Sequence, residues 1–298
     1  MGKRPQVRRF KLRYNAAPHP YFPPAMPFTL AHPVAVLPFA RCRRCHFPAL
    51  VIGSLSPDFV YFLHGRAVAG GHGLADMLWP NLALCLAFYW LYLALWRSTL
   101  RDFLPNCLNA EMRLPENEQS EFRQNERSEF LRSKNEHSKF RLNGQDGRRF
   151  GFKPTGARAV AFVLSALFGM ATHLLLDAFT HPAGWFVQHL APLRQPMCSL
   201  PLFKWLQYGG GLFGVAACLL FVCCAARRRP CVPAKSAAQK GGFWAACAGL
   251  SLLGFAAWQA VAPVPLTHAA TQVIRLIDCA VLAFSALCLL RLGVGKAT

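Results

Sequence analysis

Residues 157–180 read ARAVAFVLSALFGMATHLLLDAFT. The run is apolar over a length that crosses a bilayer core, which takes about 20 residues, yet it carries His173 and Asp177 near its end. These two lie four residues apart, one turn above the other on a helical face. Ionisable groups on a spanning helix are costly and mark functional positions. The stretch therefore predicts a membrane helix with chemistry at its far end.

Four further runs, 77–96, 209–226, 243–262 and 273–290, are long and apolar enough to span. Residues 47–63 are borderline, being short and broken by Pro57 and Asp58, and residues 29–40 are too short and should lie beside them as a hairpin arm. The expected fold is an all-α, multi-pass transmembrane helical bundle of five or six spans plus a short N-terminal hairpin arm. Composition points the same way. Of 298 residues, 54% are hydrophobic and only 15% charged, against about a quarter charged in soluble domains. That excludes a soluble globular enzyme, a disordered protein and a secreted disulfide scaffold. Residues 26–298 read as a single membrane domain, interrupted by a polar insert at 109–149. Residues 1–25 read as a basic, Pro-rich tail without an apolar signal core, so Met26 begins the more coherent sequence.

The 33 Lys and Arg against 13 Asp and Glu give a formal charge of +20. The basic residues sit mostly between apolar runs, where they act as topology signals rather than as a nucleic-acid surface. Arg97 and Arg101 follow the first clear span, Arg148, Arg149, Lys153 and Arg158 precede the second, and Arg227, Arg228 and Arg229 follow the third. Placing these in the cytoplasm leaves 64–76, 181–201 and 263–271 outside. The insert, with its loosely repeated Ser-Glu-Phe steps, reads as a solvated cytoplasmic loop. Lys204-Trp205-Leu206-Gln207-Tyr208 reads as an interfacial belt with Lys204 snorkelling to headgroup depth. Arg275 and Asp278, one turn apart, form a candidate intramembrane pair. No nucleic-acid partner is expected; the bilayer is the surrounding medium.

Most of the 12 cysteines fall in apolar runs, where Cys behaves as a small hydrophobe. Cys42-Arg43-Arg44-Cys45-His46 spells the haem-attachment pattern C-x-x-C-H. The flanking arginines place it on the cytoplasmic side, and the reading adopted is coincidence rather than a haem, metal or redox site.

The candidate chemistry lies in His32, Asp58, His72, His173, Asp177 and His181. In the topology above, His72, His173, Asp177 and His181 fall near the outer ends of their segments, and a hairpin of 29–40 with 47–63 brings His32 and Asp58 to one end. Imidazole and carboxylate together suit zinc, manganese or iron. Pro182 biases His181 away from helical geometry, so His181 caps the site or serves a loop. The competing explanation is a histidine that hydrogen-bonds a neighbouring helix, with Asp177 as its structural partner.

The stretches Met26-Pro27-Phe28-Thr29-Leu30-Ala31-His32-Pro33, Val51-Ile52-Gly53-Ser54-Leu55-Ser56-Pro57-Asp58, Thr172 to Trp185 and Pro201 to Gly209 resemble the bacterial membrane family of domain of unknown function 4184. The resemblance runs from Met26 to the C-terminus and leaves out the insert. The chain is also distantly similar to an inner-membrane family named for metal-dependent hydrolases, which shows an early His, a Pro-Asp, a His before a span and a His-x-x-x-Asp. That likeness implies a ligand set of His32, Asp58, His72, His173 and Asp177. It further implies hydrolysis of a small-molecule or lipid substrate at the bacterial cytoplasmic membrane, with Asp58 or Asp177 as general base. The distant family carries a further acidic residue and a His soon after the Pro-Asp. Here Phe59, Val60 and Tyr61 follow, and His64 is the nearest substitute. The alternative class is a non-enzymatic membrane protein whose His/Asp cluster is structural. A transporter ranks third, because no inverted repeat is evident.

Overall fold

The computed structural model describes residues 29–109, 156–228 and 235–297. The tail at 1–25, Arg229 and all of the expected insert except Asn109 lie outside the described residues. Within them, five helical segments are long and apolar enough to cross a membrane: Met77–Phe103, Gly156–His189, Leu202–Arg228, Ala237–Val261 and Ala269–Gly293. They form an all-α multi-pass bundle, whose small strands Pro196–Met197 and Leu200–Pro201 pair as a hairpin between two spans.

Several segments run beyond their apolar cores. The first continues past Trp96 through a π-helical turn, Tyr92–Trp96, into the helix Arg97–Phe103. The helix Leu202–Arg228 begins before Gly209, so the expected interfacial belt forms its first turns. Trp205 and Tyr208 are exposed there as a belt requires, but Lys204 is not a snorkelling side chain. It is 2% exposed, and its Nζ donates to Gln207 Oε1 at 2.9 Å while lying 5.7 Å from the ring centres of Phe203 and Tyr208. An acceptor one turn along its own helix, with two aromatic faces, replaces the water it would otherwise seek.

Residues 47–63 do not form a span. The helix Phe47–Leu55 gives way to a 3₁₀ turn, Ser56–Asp58, and then to the short helix Phe59–His64, which stops at Gly65 in a left-handed conformation. The arm Thr29–Arg41 is a 3₁₀ helix containing Pro33 and Pro38. Neither proline can donate to an α-helical ladder. The arm lies against both Phe47–Leu55 and Leu202–Arg228.

The contact that organises the bundle is the crossing of Phe47–Leu55 over Gly156–Thr180. A Cβ at Gly53 would stand 2.3 Å from the Ala166 carbonyl oxygen, and one at Gly169 would stand 2.3 Å from that of Leu50. Only hydrogen fits at either position, which lets the two backbones meet as small residues do in membrane helix pairs. Ala49, Ile52, Phe162, Ala166 and Met170 pack into the core at this crossing.

Polar contacts tie the opposite end together. Asp102 pairs with Arg291, Lys240 Nζ donates to the Leu104 carbonyl at 2.8 Å and to Asn106 Oδ1 at 2.7 Å, and Trp244 donates to the Phe103 carbonyl. Arg275 does not turn to Asp278. Its Nη1 donates to Gln259 Oε1 at 2.7 Å and to the Ala262 carbonyl at 2.6 Å, and its guanidinium stacks on Trp258. Oxygens from the neighbouring helix and its end take the place of the expected i,i+3 partner.

Candidate metal centre

Four segments deliver side chains to one point. His173 and Asp177 sit one turn apart on the inner face of Gly156–Thr180. Asp58 ends the 3₁₀ turn that breaks the second segment. His32 comes from the first turns of the arm. His72 comes from the connection before Met77–Phe103, where Gly71 takes φ +84 and a Cβ would strike the Pro57 carbonyl at 2.4 Å. Asn81, fully buried, donates to the Gly71 carbonyl at 2.6 Å and pins that connection over the site.

The distances are short throughout. His72 Nε2 lies 3.3 Å from Asp58 Oδ1 and 3.2 Å from Asp177 Oδ2. His173 Nε2 lies 3.2 Å from Asp177 Oδ2, 3.7 Å from Asp58 Oδ1 and 3.3 Å from His72 Nε2. His32 Nε2 lies 3.2 Å from Asp177 Oδ1, and its ring stacks on that of His173 with centres 3.7 Å apart. An ion bound at about 2.0–2.2 Å places its ligand atoms within about 4 Å of one another. Two overlapping groups, His32–Asp58–His173 and His72–His173–Asp177, have ligand atoms all within 4.8 Å of each other, and they share His173.

The other ring nitrogens show which way the imidazoles face. His173 Nδ1 donates to the Ser54 carbonyl at 2.8 Å and His32 Nδ1 to the Thr29 carbonyl at 3.3 Å, whereas His72 Nδ1 lies between the Tyr61 hydroxyl at 3.3 Å and the Gly70 carbonyl at 3.4 Å. A carbonyl oxygen only accepts, so the Nδ1 of His173 and that of His32 carry the hydrogen. In the neutral ring, the Nε2 of each then points its lone pair inward. This is the outer-shell arrangement that orients metal-binding histidines. Thr29 adds a hydroxyl donor to Asp58 Oδ2 at 2.5 Å.

Nitrogen lone pairs and two carboxylates facing one another repel unless positive charge lies among them. Without a metal, a proton meets that need. Burial opposes charge on His72, but the hydrogen bonds to Asp177 and Asp58 and their negative charges outweigh it and push its pKa up to about 10. The donor set fits a divalent ion of the zinc, manganese or iron type, for which imidazole and carboxylate are suitable ligands.

His181 stands beside the cluster rather than in it. Its Nδ1 lies 3.2 Å from Asp177 Oδ1, its side chain is 34% exposed, and Gln207 Nε2 approaches its Nε2 at 3.5 Å. A chain of contacts therefore runs from buried Lys204 through Gln207 and His181 to Asp177. His64 does not substitute for the missing second histidine. It is exposed, and its Nδ1 donates to the Val60 carbonyl within its own helix. Thr29 and Gln207 are contacts that the motifs alone do not single out. The signal was present, since Thr29 lies three residues before His32 and Gln207 three after Lys204 in two of the quoted stretches.

The C-x-x-C-H histidine is committed elsewhere. His46 caps the helix Phe47–Leu55, its Nδ1 accepting from the Ala49 N–H at 3.2 Å, and its Nε2 lies 3.3 Å from the Tyr89 hydroxyl.

No curated protein and no solved structure matches the chain. The family model described as domain of unknown function DUF4184 matches residues 26–294. With its apolar helices and buried His/Asp cluster, the chain belongs to that family.

Proposed function

We propose that the protein is a metal-dependent hydrolase embedded in the bacterial cytoplasmic membrane, holding a divalent ion with His32, Asp58, His72, His173 and Asp177. One observation carries the reading: three imidazoles and two carboxylates from four segments converge with facing atoms 3.2–3.7 Å apart, and the His173 Nδ1–H is held by the Ser54 carbonyl so that its Nε2 faces the group. The distant likeness to the inner-membrane hydrolase family agrees with it.

When bound, the ion supplies Lewis-acid activation of water and of the substrate. The residues do the rest. Asp58 is the more enclosed carboxylate, its Oδ2 held by Thr29, and it would serve as a ligand. Asp177 would help to hold the ion, and its Oδ1, 3.2 Å from the half-exposed His181, would serve as the general base. His72, 27% exposed in its side chain, and His181 form an open rim. Such a rim is where a substrate would approach the ion. The substrate is a small molecule or lipid that reaches the rim at the outer end of the bundle.

The test is a panel of chromogenic carboxylic and phosphoric esters, presented in detergent to the purified full chain. The expected result is turnover that a chelator abolishes and zinc or manganese restores, and that Asp177→Asn reduces by at least about a hundredfold. Metal bound without chelator-sensitive turnover of any ester would favour the structural clamp.

A further inference from the structure

At the end of the bundle opposite the His/Asp cluster, the turn joining Thr29–Arg41 to Phe47–Leu55 holds two thiols in contact. Cys45 Sγ donates to Cys42 Sγ at 3.1 Å. The turn closes through the Cys45 N–H to the Cys42 carbonyl at 3.3 Å and is anchored by the Cys42 N–H to the Phe39 carbonyl at 2.9 Å. Cys42 is exposed and Cys45 half-buried. A disulfide spans about 2.05 Å between sulfurs, so bonding needs an approach of only about 1 Å more. Arg41, Arg43 and Arg44 flank the pair in sequence, all exposed, and the charge of Arg44 favours a thiolate at Cys42.

We propose that Cys42 and Cys45 form a redox-active dithiol that exchanges with disulfides at the Arg-rich end of the bundle. Cys42 is the attacking sulfur and Cys45 the resolving one. The thiol of Cys42 lies below its ordinary pKa, chiefly because it accepts the Cys45 hydrogen bond and then because of the Arg44 backbone N–H and charge. The same hydrogen bond, followed by burial, pushes Cys45 up. The thiolate of Cys42 attacks one sulfur of a low-molecular-weight disulfide, forming a mixed disulfide and expelling one thiolate. Cys45, losing its proton, then attacks the Cys42 sulfur of that mixed disulfide, forming the Cys42–Cys45 bond and expelling the second low-molecular-weight thiolate. The two protein thiols are oxidised by two electrons, the external disulfide is reduced to two thiols, and the two protons end on those thiols. A metal fits this turn less well. Tetrahedral thiolate sites take four ligands, and both nitrogens of the adjacent His46 already have partners.

The test uses the full chain in detergent, as wild type, Cys42→Ser and Cys45→Ser, equilibrated in glutathione redox buffers. Each is acid-quenched, alkylated and read by mass spectrometry. Serine at an exposed turn removes no core packing, so the variants remain informative. Wild type is expected to pass from two alkylated thiols to a linked Cys42–Cys45 pair as the buffer becomes oxidising. Cys45→Ser should trap glutathione on Cys42, and Cys42→Ser should form adduct at Cys45 at least about tenfold more slowly. Full alkylation of both thiols in every buffer overturns the proposal. So does equally fast adduct formation at Cys45 in Cys42→Ser, or protection that appears only with added zinc and disappears with chelator.

Discussion

His173 Nδ1 donates to the Ser54 carbonyl oxygen at 2.8 Å, across 119 positions of sequence. The bond exists because Gly53 and Gly169 let the two helices touch backbone to backbone. It turns the fully buried imidazole so that Nε2 faces Asp58, His72 and Asp177. The helix crossing and the candidate centre are thus one piece of geometry.

Gly169→Val should disrupt both together. A side chain there meets the Leu50 carbonyl and the Ser54 nitrogen, and overpacking of this kind costs about 1–3 kcal/mol. The expected outcome is a lower thermal midpoint in detergent together with weakened metal retention. Gly210→Ala, whose Cβ has nothing within 4 Å, should be neutral or stabilising by up to about 1 kcal/mol, because alanine is the better helix former.

Thr29→Val removes the hydroxyl that donates to Asp58 Oδ2 and keeps the shape of the side chain. Loss of such an outer partner typically weakens metal binding about 10- to 100-fold. Competition with a fluorescent zinc chelator measures this directly. Unchanged affinity would mean that Asp58 does not depend on Thr29 for its orientation.

Lys204→Met leaves Gln207 Oε1 without its buried donor. An unsatisfied buried acceptor costs about 1–3 kcal/mol, read as a lower unfolding midpoint. A snorkelling lysine at the interface would have produced almost no change.

The alkylation profile of the Arg-rich turn carries a pH signature. The reactive species is the thiolate, the Cys42 thiol is lowered and the Cys45 thiol is raised. As pH falls from alkaline values, Cys45 should therefore lose reactivity first and Cys42 last. Iodoacetamide rates followed by mass spectrometry at several pH values check the order, and the reverse order contradicts it.

The spans were legible because length and apolarity suffice to mark a membrane helix, and the facing of His173 with Asp177 followed from their spacing on one helix. The meeting of His32 with Asp177 was foreseeable only through the hairpin, whose Pro57–Asp58 break is visible in the sequence. What was not legible depends on tertiary partners. Lys204 looks like an interfacial anchor until Gln207 and two rings are seen around it. Arg275 looks like a partner for Asp278 until Gln259, from the preceding helix, is seen to accept its hydrogen bond. The Cys42–Cys45 contact is not legible in the sequence because C-x-x-C-H patterns arise by chance, and only the turn shows the two sulfurs touching.

Sidedness can be read with native cysteines. Cys198, exposed in the hairpin next to the helix Leu202–Arg228, belongs to the end that carries the candidate centre, whereas Cys42 belongs to the Arg-rich end. Basic ends face the cytoplasm. In intact spheroplasts, a membrane-impermeant maleimide should label Cys198, and it should label Cys42 only after permeabilisation. The opposite pattern would invert the topology and move the candidate centre to the cytoplasmic face.

The most direct measurement is the metal content of the purified full chain, stripped with chelator, reloaded with zinc or manganese and desalted. The account predicts about one divalent ion per chain for wild type and less than about a tenth of that for His173→Ala and for the nearly isosteric Asp177→Asn. Using both variants separates ligand loss from misfolding, which matching elution profiles also monitor. A folded wild type that retains no ion, or variants that retain as much as wild type, would contradict the metal centre and the hydrolase that rests on it.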